Sequence, residues 1–183
     1  MEQNPWKTKK SELMYESAWI KVTKYDVLNP ADKPAIYSVV SFKNLAIGIL
    51  AIDNEHNTWL VGQWRYPVDQ YSWEIPEGGG KLDVDPIDSA KRELKEETGI
   101  IAKNFREIMR LHLSNSATDE LAIVYLATDL SFEEAEPEES EILQLKKLHI
   151  DEAFKWVMEG KITDAITVAA ILKTKIMIQE GSI

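Results

Sequence analysis

The sequence predicts an α+β protein in which helices cover a mixed β-sheet. Three observations lead to this prediction: β-rich segments fill much of residues 12–64, one helical segment lies near the middle of the chain, and two more helical segments close it. Strands followed by a central helix, further strands and terminal helices are typical of this class.

The individual elements follow from local patterns. Alternating apolar and polar residues at 19–25 predict a strand, and the two prolines in residues 29–34 predict a turn after it. The polar segment 53–57 predicts a second turn. Further strands are predicted at 35–42, 46–52, 59–64, 105–112, 121–126 and 142–148, and the terminal helices at 151–160 and 164–179.

The central helix has well-defined ends. Asp85 can accept hydrogen bonds from its first free N–H groups, Pro86 suits the first helical position, and Gly99 suits a left-handed stop. Residues 77–80, Glu-Gly-Gly-Gly, come just before it and predict a loop that bends sharply and approaches a ligand closely.

Three acidic residues share one face of this helix. Glu93, Glu96 and Glu97 stand at positions i, i+3 and i+4, where side chains are neighbours. Adjacent carboxylates repel one another, and a hard divalent cation removes that repulsion. The spacing therefore makes a metal site plausible, although a solvated acidic face gives the same pattern.

Composition limits the classes of function. The net charge of −10 argues against nucleic-acid or membrane-surface binding, which both recruit Lys and Arg. No apolar run reaches the length of a membrane span, and the N-terminus has no signal-peptide pattern. The absence of cysteine excludes disulfides and fits a cytoplasmic protein, and His56, His112 and His149 show no zinc spacing.

Residues 78–100 resemble the Nudix box, G-x5-E-x7-R-E-U-x-E-E-x-G-U, in which U is a large aliphatic residue. The residues that match in register are Gly78, Arg92, Glu93, Leu94, Glu96, Glu97, Gly99 and Ile100. One fixed position departs from the pattern, because Val84 stands where the family has its first Glu.

Two segments outside the box resemble Nudix enzymes that act on nucleoside diphosphate sugars, notably ADP-ribose pyrophosphatases. They are the Q-x-R…W-E-x-P-x-G pattern in residues 63–78 and the G-x-I-x-D-x-x-T pattern in residues 160–167. ADP-ribose hydrolases often carry a proline in the loop past the box, and residues 113–119 have none. The resemblance implies a Nudix α/β/α sandwich over residues 45–183, with an N-terminal β-rich subdomain in residues 1–44.

The resemblance also implies a Mg²⁺ (or Mn²⁺) site on the box helix. The implied ligands are Glu93, Glu97 and the backbone oxygen of Glu77, with Glu96 as a further ligand or a contact through water. Arg92 is expected to orient these acids, and an i,i+4 pair with Glu96 is compatible with that role.

The general base of this branch usually comes from a separate loop. The acidic run 133–141 precedes the predicted strand 142–148, and most of such a run is solvated. Glu141 is the preferred candidate because it lies just before the strand, and Glu139 is the second.

Substrate contacts are predicted for Arg65, Glu74 and Trp19. A guanidinium can pair with phosphate or stack on a base, although a surface salt bridge is the alternative for Arg65. Trp19, Trp64 and Trp73 are all able to stack on a base, but tryptophans on strands more often pack in a core or interface. We expect at most one of them, with Trp19 preferred, to contact substrate.

Two functions remain open from sequence. The first is metal-dependent hydrolysis of a nucleoside diphosphate sugar, ADP-ribose-like, to nucleoside monophosphate and sugar phosphate. The second is a non-catalytic nucleotide-sugar-binding protein, which Val84 favours slightly.

Residues 1–44 have too little apolar content for a core of their own, and the resemblance implies a C2 homodimer with Trp19 near the interface. Packing of this segment on its own catalytic domain is the alternative.

Overall fold

The computed structural model describes residues 3–135 and 142–183. The strands in these residues are β1 (Lys7–Glu16), β2 (Ile20–Leu28), β3 (Pro34–Phe42), β4 (Asn44–Ala51), β5 (Asn57–Arg65), β6 (Gln70–Glu74), β7 (Glu77–Lys81), β8 (Ile100–His112), β9 (Leu121–Phe132) and β10 (Gln144–His149). The α-helices are α1 (Pro86–Thr98), α2 (Ile150–Met158) and α3 (Ala165–Gln179). A short 3-10 helix, Tyr66–Val68, joins β5 to β6.

The strands form three sheets. Strands β1, β2 and β3 make an antiparallel N-terminal sheet. The central sheet has the order β7-β4-β9-β8, with β4 and β9 parallel and the outer pairs antiparallel. Strands β10, β5 and β6 make the third, antiparallel sheet. The predicted mixed sheet is therefore confirmed.

The central sheet lies between two helical layers because its inner strands are apolar on both faces. In β4, Ile49 belongs to a buried cluster with Leu94 of α1, whereas Leu50 belongs to a cluster with Ile171 of α3. Successive side chains of a strand point to opposite faces, so a continuous apolar run needs cover on both sides. This packing confirms the α/β/α sandwich.

The predicted strands and helices are found, but the loop prediction at residues 77–80 is wrong. These residues belong to β7, which pairs with β4 in the register Gly48↔Glu77 to Asn44↔Lys81. Strand β6 was not predicted either. Glycine has low strand propensity, and here the strand is specified by its buried partner β4 rather than by its own side chains.

The N-terminal sheet contacts the loop between β8 and β9 of the same chain. The Tyr37 hydroxyl donates to the Ser116 carbonyl at 2.6 Å, and the Phe42 N–H donates to Asp119 Oδ1 at 2.9 Å. These contacts correspond to the alternative in which the segment packs on its own catalytic domain, and the division at residue 44 stays a prediction.

Across the described residues, none of the helices combines the length and apolar character that crossing a bilayer requires.

Asp53 organises the turn between β4 and β5. Its carboxylate accepts from the Glu55 N–H at 2.9 Å and from the Asn57 N–H at 2.8 Å, and it pairs with Lys147 of β10 at 3.0 Å. Burial raises the pKa of Asp53, but the hydrogen bonds from Asn57, Lys147 and Glu55 outweigh it and lower the pKa to about 2. The charged carboxylate therefore stabilises the turn.

We expect Asp53→Ala to lower the free energy of unfolding at pH 7 by about 1–3 kcal/mol, because hydrogen bonds to a charged group are lost. The folded pKa lies below the ordinary 3.8, so this contribution is complete above that value and is lost as the pH falls toward the folded pKa. Urea unfolding at several pH values should show the difference shrinking in acid. Glu55→Ala, in the same turn, is the control and should have a smaller effect at every pH.

Candidate active site

Helix α1 presents the predicted acidic face. The Asp85 side chain accepts from the Ile87 N–H at 3.1 Å, and Gly99 adopts φ 69° at the C-terminus, which confirms both predicted ends. Glu93 and Glu97 are buried, with 9% and 5% of their surface exposed. Because carboxylates are seldom buried without partners, these two acids need compensation from their surroundings.

Arg92 supplies part of this compensation. Its Nη2 atom donates to Glu93 Oε1 at 2.5 Å and to the Gly79 carbonyl at 3.2 Å, and its Nη1 atom donates to Glu96 Oε2 at 2.6 Å. Burial lowers the pKa of Arg92, but the charges and hydrogen bonds of Glu93 and Glu96 outweigh it and raise the pKa above its ordinary value. Arg92 thus ties two acids of α1 to strand β7.

Strand β7 approaches α1 closely at Gly78. A methyl group at Gly78 would collide with the Glu93 carboxylate, so any larger residue here would displace that carboxylate. The Glu77 N–H donates to Glu97 Oε2 at 3.1 Å. The backbone of β7 therefore contacts both buried acids of α1, Glu93 and Glu97.

A second group of charged side chains lies at the ends of the neighbouring elements, and we call it the Arg65 cluster: Arg65, Glu74, Glu77 and Asp164. Arg65 Nη2 donates to Glu74 Oε2 at 2.5 Å and to Glu77 Oε1 at 2.8 Å. Carboxylate oxygens of Glu74, Glu77 and Asp164 lie within 4.8 Å of one another. Asp164 is also the N-cap of α3, where its Oδ2 atom accepts from the Thr167 N–H at 2.7 Å.

The charges in the Arg65 cluster strongly influence one another. Burial lowers the pKa of Arg65, but hydrogen bonding and attraction from Glu74, with the charges of Glu77 and Asp164, raise it above its ordinary value. Burial and repulsion from Asp164 and Glu74 raise the pKa of Glu77 well above its ordinary range, although Arg65 opposes this. The cluster holds more negative than positive charge.

A cleft of about 990 Å³ opens next to this cluster. Its walls include all three residues predicted to contact substrate, Trp19, Arg65 and Glu74, together with Gly78 and Asp164. A volume of this order can enclose a small-molecule ligand such as a nucleotide. The structure thus brings the N-terminal sheet, β5, β6, β7 and the start of α3 to one cleft.

A smaller cleft of about 570 Å³ lies along α1. Trp19, Val84, Arg92 and Glu93 are among its lining residues. Val84, which replaces the first Glu of the box, is 38% exposed there. Trp19 lines both clefts and is 68% exposed, so it stands between the box helix and the Arg65 cluster.

The turn that carries Trp19 is held by several hydrogen bonds. The Lys43 N–H donates to the Trp19 carbonyl at 2.9 Å, and the Ser17 hydroxyl oxygen accepts from the Trp19 N–H at 3.2 Å. Lys43 Nζ also donates to the Ser17 carbonyl at 2.6 Å. The backbone at Trp19 is therefore fixed although its side chain is exposed.

The remaining residues that the sequence suggested for substrate binding or catalysis are two tryptophans and two acids. Trp73 packs against Tyr71 and Trp156 with ring centroids 5.6 Å and 6.1 Å away, which is a packing role. Trp64 is 60% exposed. The two candidates for the general base, Glu139 and Glu141, lie outside the described residues.

Sequence reasoning missed Asp164, Thr167 and Glu120. The fully buried Thr167 accepts from the Ile75 N–H at 3.0 Å and so holds the segment before Glu77. Glu120 lines the larger cleft, and burial and the charge of Asp119 raise its pKa. The G-x-I-x-D-x-x-T segment contains Asp164 and Thr167, so it could have signalled both residues, whereas Glu120 has no comparable signal.

The residues around β7 and α1 fit a divalent cation. Their donor atoms are carboxylate and carbonyl oxygens, which Mg²⁺ and Mn²⁺ prefer. Glu77 Oε2 is buried and has no hydrogen-bond partner among the described residues. Such an orphaned acceptor is costly unless a donor or a cation reaches it.

We expect Gly78→Ala to reduce turnover about 100-fold, because displacement of a functional group by about 1 Å has effects of this size. The added methyl group must push the Glu93 carboxylate away. Gly79→Ala is the matched control, since the nearest atom to its methyl group would be Asn44 Nδ2 at 3.7 Å. Steady-state kinetics and circular dichroism of both variants would check this, and equal losses would contradict it.

Comparison with known proteins supports the assignment made from the residues. The NUDIX domain family matches residues 42–167. The chain is 32% identical over 167 residues to the methanol dehydrogenase activator of Bacillus methanolicus, with 90% of each chain covered. It is equally similar, with the same coverage, to an ADP-ribose pyrophosphatase of Bacillus subtilis strain 168.

Further similarities agree with this result. An ADP-ribose pyrophosphatase of Mycobacterium tuberculosis is 31% identical over 178 residues, covering 94% of this chain and 84% of the relative. The crystal structure of an ADP compounds hydrolase superposes with a TM-score of 0.87 over the whole of both chains at 18% identity, which shows the shared fold. The chain therefore belongs to the Nudix family, and it is a pyrophosphohydrolase, as the sequence predicted.

Proposed function

We propose that this protein hydrolyses the diphosphate bond of a nucleoside diphosphate sugar, ADP-ribose-like, and releases nucleoside monophosphate and sugar phosphate. The observation that carries the proposal is the placement of Trp19, Arg65 and Glu74 on one cleft beside the Gly78 backbone that adjoins Glu93. On this proposal Trp19 and Arg65 bind the base and a phosphate there, beside the oxygen atoms that would hold a metal. The ADP-ribose pyrophosphatases among the relatives support the same substrate class.

The metal required by this reaction would be held by Glu93, Glu97 and the backbone oxygen of Glu77, with Glu96 as a further ligand or a contact through water. When bound, Mg²⁺ or Mn²⁺ neutralises phosphate charge and lowers the pKa of a coordinated water. Arg92 keeps Glu93 and Glu96 oriented through its hydrogen bonds. An acidic protein with a net charge of −10 needs such cations to accept an anionic substrate.

Trp19 and Arg65 are the proposed binding residues for the two ends of the substrate. Trp19 presents an exposed ring from a fixed turn, which suits stacking on a nucleobase at a small cost in entropy. Arg65 is oriented by Glu74 and Glu77, so its guanidinium is fixed in the wall of the cleft. Glu74, which is 2% exposed, acts on substrate mainly by positioning Arg65.

The general base is proposed to be Glu141, with Glu139 as the second candidate. In the sequence, both residues lie shortly before β10, which pairs with β5 next to β6. We also propose that the enzyme acts in the cytoplasm, consistent with a chain that has no cysteine.

The non-catalytic alternative, which Val84 favours slightly from sequence, disagrees with the assignment of the chain as a pyrophosphohydrolase. Arg92, Glu93, Glu96 and Glu97 favour catalysis more strongly, because a binding protein has no need for repelling carboxylates on one helix face. These four residues therefore agree with a hydrolase.

We expect nucleoside monophosphate release from ADP-ribose or another diphosphate sugar to require Mg²⁺ or Mn²⁺. The rate should fall about 100-fold or more in Glu97→Gln, because bound metal stabilises the transition state by several kcal/mol. Calorimetry should show weaker Mn²⁺ binding in the same variant. A panel of diphosphate sugars assayed with and without metal would measure the activity.

Glu107→Gln is a control, because this exposed acid on β8 pairs with Arg110 away from both clefts. It should retain the wild-type rate and metal affinity. Metal-independent turnover, or undiminished Mn²⁺ binding in Glu97→Gln, would contradict the proposed role of Glu97.

We further propose that the protein is a C2 homodimer formed through its N-terminal sheet. Every residue of β1 is exposed, including Leu13 at 56% and Tyr15 at 57%. Ile36 of β3 is 65% exposed as well. Leu13 and Ile36 lie on opposite faces of the sheet, because they align with Thr23 and Asp26 of β2. Strand β1 is also at the edge of this sheet, and an exposed edge strand offers unpaired backbone groups to a second copy of the chain.

Sedimentation velocity at micromolar concentration should therefore show a dimer for the wild type and a shift toward monomer for Leu13→Glu, since a charge would be buried in the interface. Glu12→Ala is the matched control, because neighbouring residues of a strand point to opposite faces. A monomeric wild type would disprove the proposal, as would a Leu13→Glu variant that remains fully dimeric.

A further inference from the structure

The two parts of the active site open into different clefts. Arg65 belongs to the wall of the larger cleft, whereas Glu93 belongs to the wall of the smaller one. Trp19, Asn44 and Gly79 line both clefts and form the boundary between them. A ligand that contacts Arg65 and also reaches a metal on Glu93 therefore passes over this boundary.

Asn44 supplies a polar side chain at the boundary. It is the half-buried first residue of β4, and its Nδ2 atom lies 3.7 Å from the point that a methyl group on Gly79 would occupy. Among residues 3–135 and 142–183, the Asn44 amide group makes no hydrogen bond to another protein group. Partial burial removes some of the water around this amide group, so a ligand that accepts from it replaces the lost hydrogen bonds.

Lys81 adds a positive charge next to Asn44. The two residues face each other in the pairing of β4 with β7, and the side chains of directly opposite residues lie on the same face of a sheet. Lys81 is exposed and lines the smaller cleft. The guanidinium groups of Arg65 and Arg92 are already paired with carboxylates, whereas the Lys81 ammonium group has no acidic partner within the described part of the chain. Lys81 is therefore available to attract an anion.

We propose that Asn44 and Lys81 bind the diphosphate of the substrate where it crosses from one cleft to the other, an inference that rests on the proposed function. The Asn44 amide N–H groups and the Lys81 ammonium group donate to phosphate oxygens that are not part of the P–O–P bridge. Hydrogen bonds to an ionised acceptor are stronger than those between neutral groups. Neither side chain is an acid, so the two residues attract phosphate without adding repulsion to a site that already holds several carboxylates.

Calorimetric binding of methylenediphosphonate, a diphosphate analogue whose carbon bridge cannot be hydrolysed, tests this proposal without turnover. With Mg²⁺ present, Asn44→Ala and Lys81→Met should each weaken binding about tenfold, because each loses a hydrogen bond to a charged group. Asn44→Asp should weaken it about 100-fold, since it also places a carboxylate against the phosphates. Mn²⁺ binding without the analogue should be unchanged in Asn44→Ala and Lys81→Met, which separates a phosphate contact from a metal ligand. With ADP-ribose, KM should rise about tenfold in these two variants and kcat should change little, because the contacts already exist in the bound ground state.

Two matched controls come from β8. Asn104→Asp and Lys103→Met make the same chemical changes at exposed positions that line neither cleft, and both should bind the analogue as the wild type does. Wild-type affinity for the analogue in both Asn44→Ala and Lys81→Met would overturn the proposal, as would a wild type that does not bind methylenediphosphonate. A wild type that binds the analogue through Asn44 and Lys81 but releases no nucleoside monophosphate would support this inference and contradict the proposed function instead.

Discussion

The contact between strand β7 and helix α1 is the constraint on which the active site depends. At Gly78 the strand lies so close to the helix that a methyl group would collide with the Glu93 carboxylate. The Glu77 N–H reaches Glu97, and the Gly79 carbonyl accepts from Arg92. Buried acids on a helix are costly unless donors surround them, and the Glu77 N–H and the Arg92 guanidinium supply such donors to the acidic face of α1.

The position of β7 depends in turn on the central sheet. Strand β4 is buried on both faces and pairs with β7 on one side and β9 on the other. Pairing with β4 and the cover of the two helical layers therefore restrict the movement of β7. Thr167 of α3 adds a further restraint through the Ile75 N–H. The site is therefore held from the sheet and from both helical layers, which suits a reaction that depends on position.

Electrostatics link the two groups of acids. Glu77 contributes its backbone to the contact with α1 and its side chain to the Arg65 cluster, so one residue belongs to both. Arginine serves each group in the same way: Arg92 bridges Glu93 and Glu96, and Arg65 bridges Glu74 and Glu77. Each guanidinium presents several donors in a fixed plane and can hold two carboxylates at once, which limits the repulsion between them.

The sequence by itself determined the helix that carries the acids and the class of fold. Local interactions decide such features. Asp85 caps the N-terminus of α1 and Gly99 caps its C-terminus, and the 3.6-residue period places Glu93 and Glu97 on one face. Glu77 was a candidate through the resemblance to the Nudix family, and Arg65 and Trp19 were candidates through their side-chain chemistry, although their grouping around one cleft was not evident.

Only the tertiary structure decided which residues from distant parts of the sequence contact those residues. The glycines of residues 78–80 suggest a loop by propensity, yet pairing with β4 makes them a strand. Asp164 is 87 residues away from Glu77 in sequence and approaches it because α3 returns across the sheet. Glu120 reaches the same cleft from the end of a loop. Contacts between distant segments depend on how sheets and helices pack, and a residue's immediate sequence neighbours carry no information about that packing.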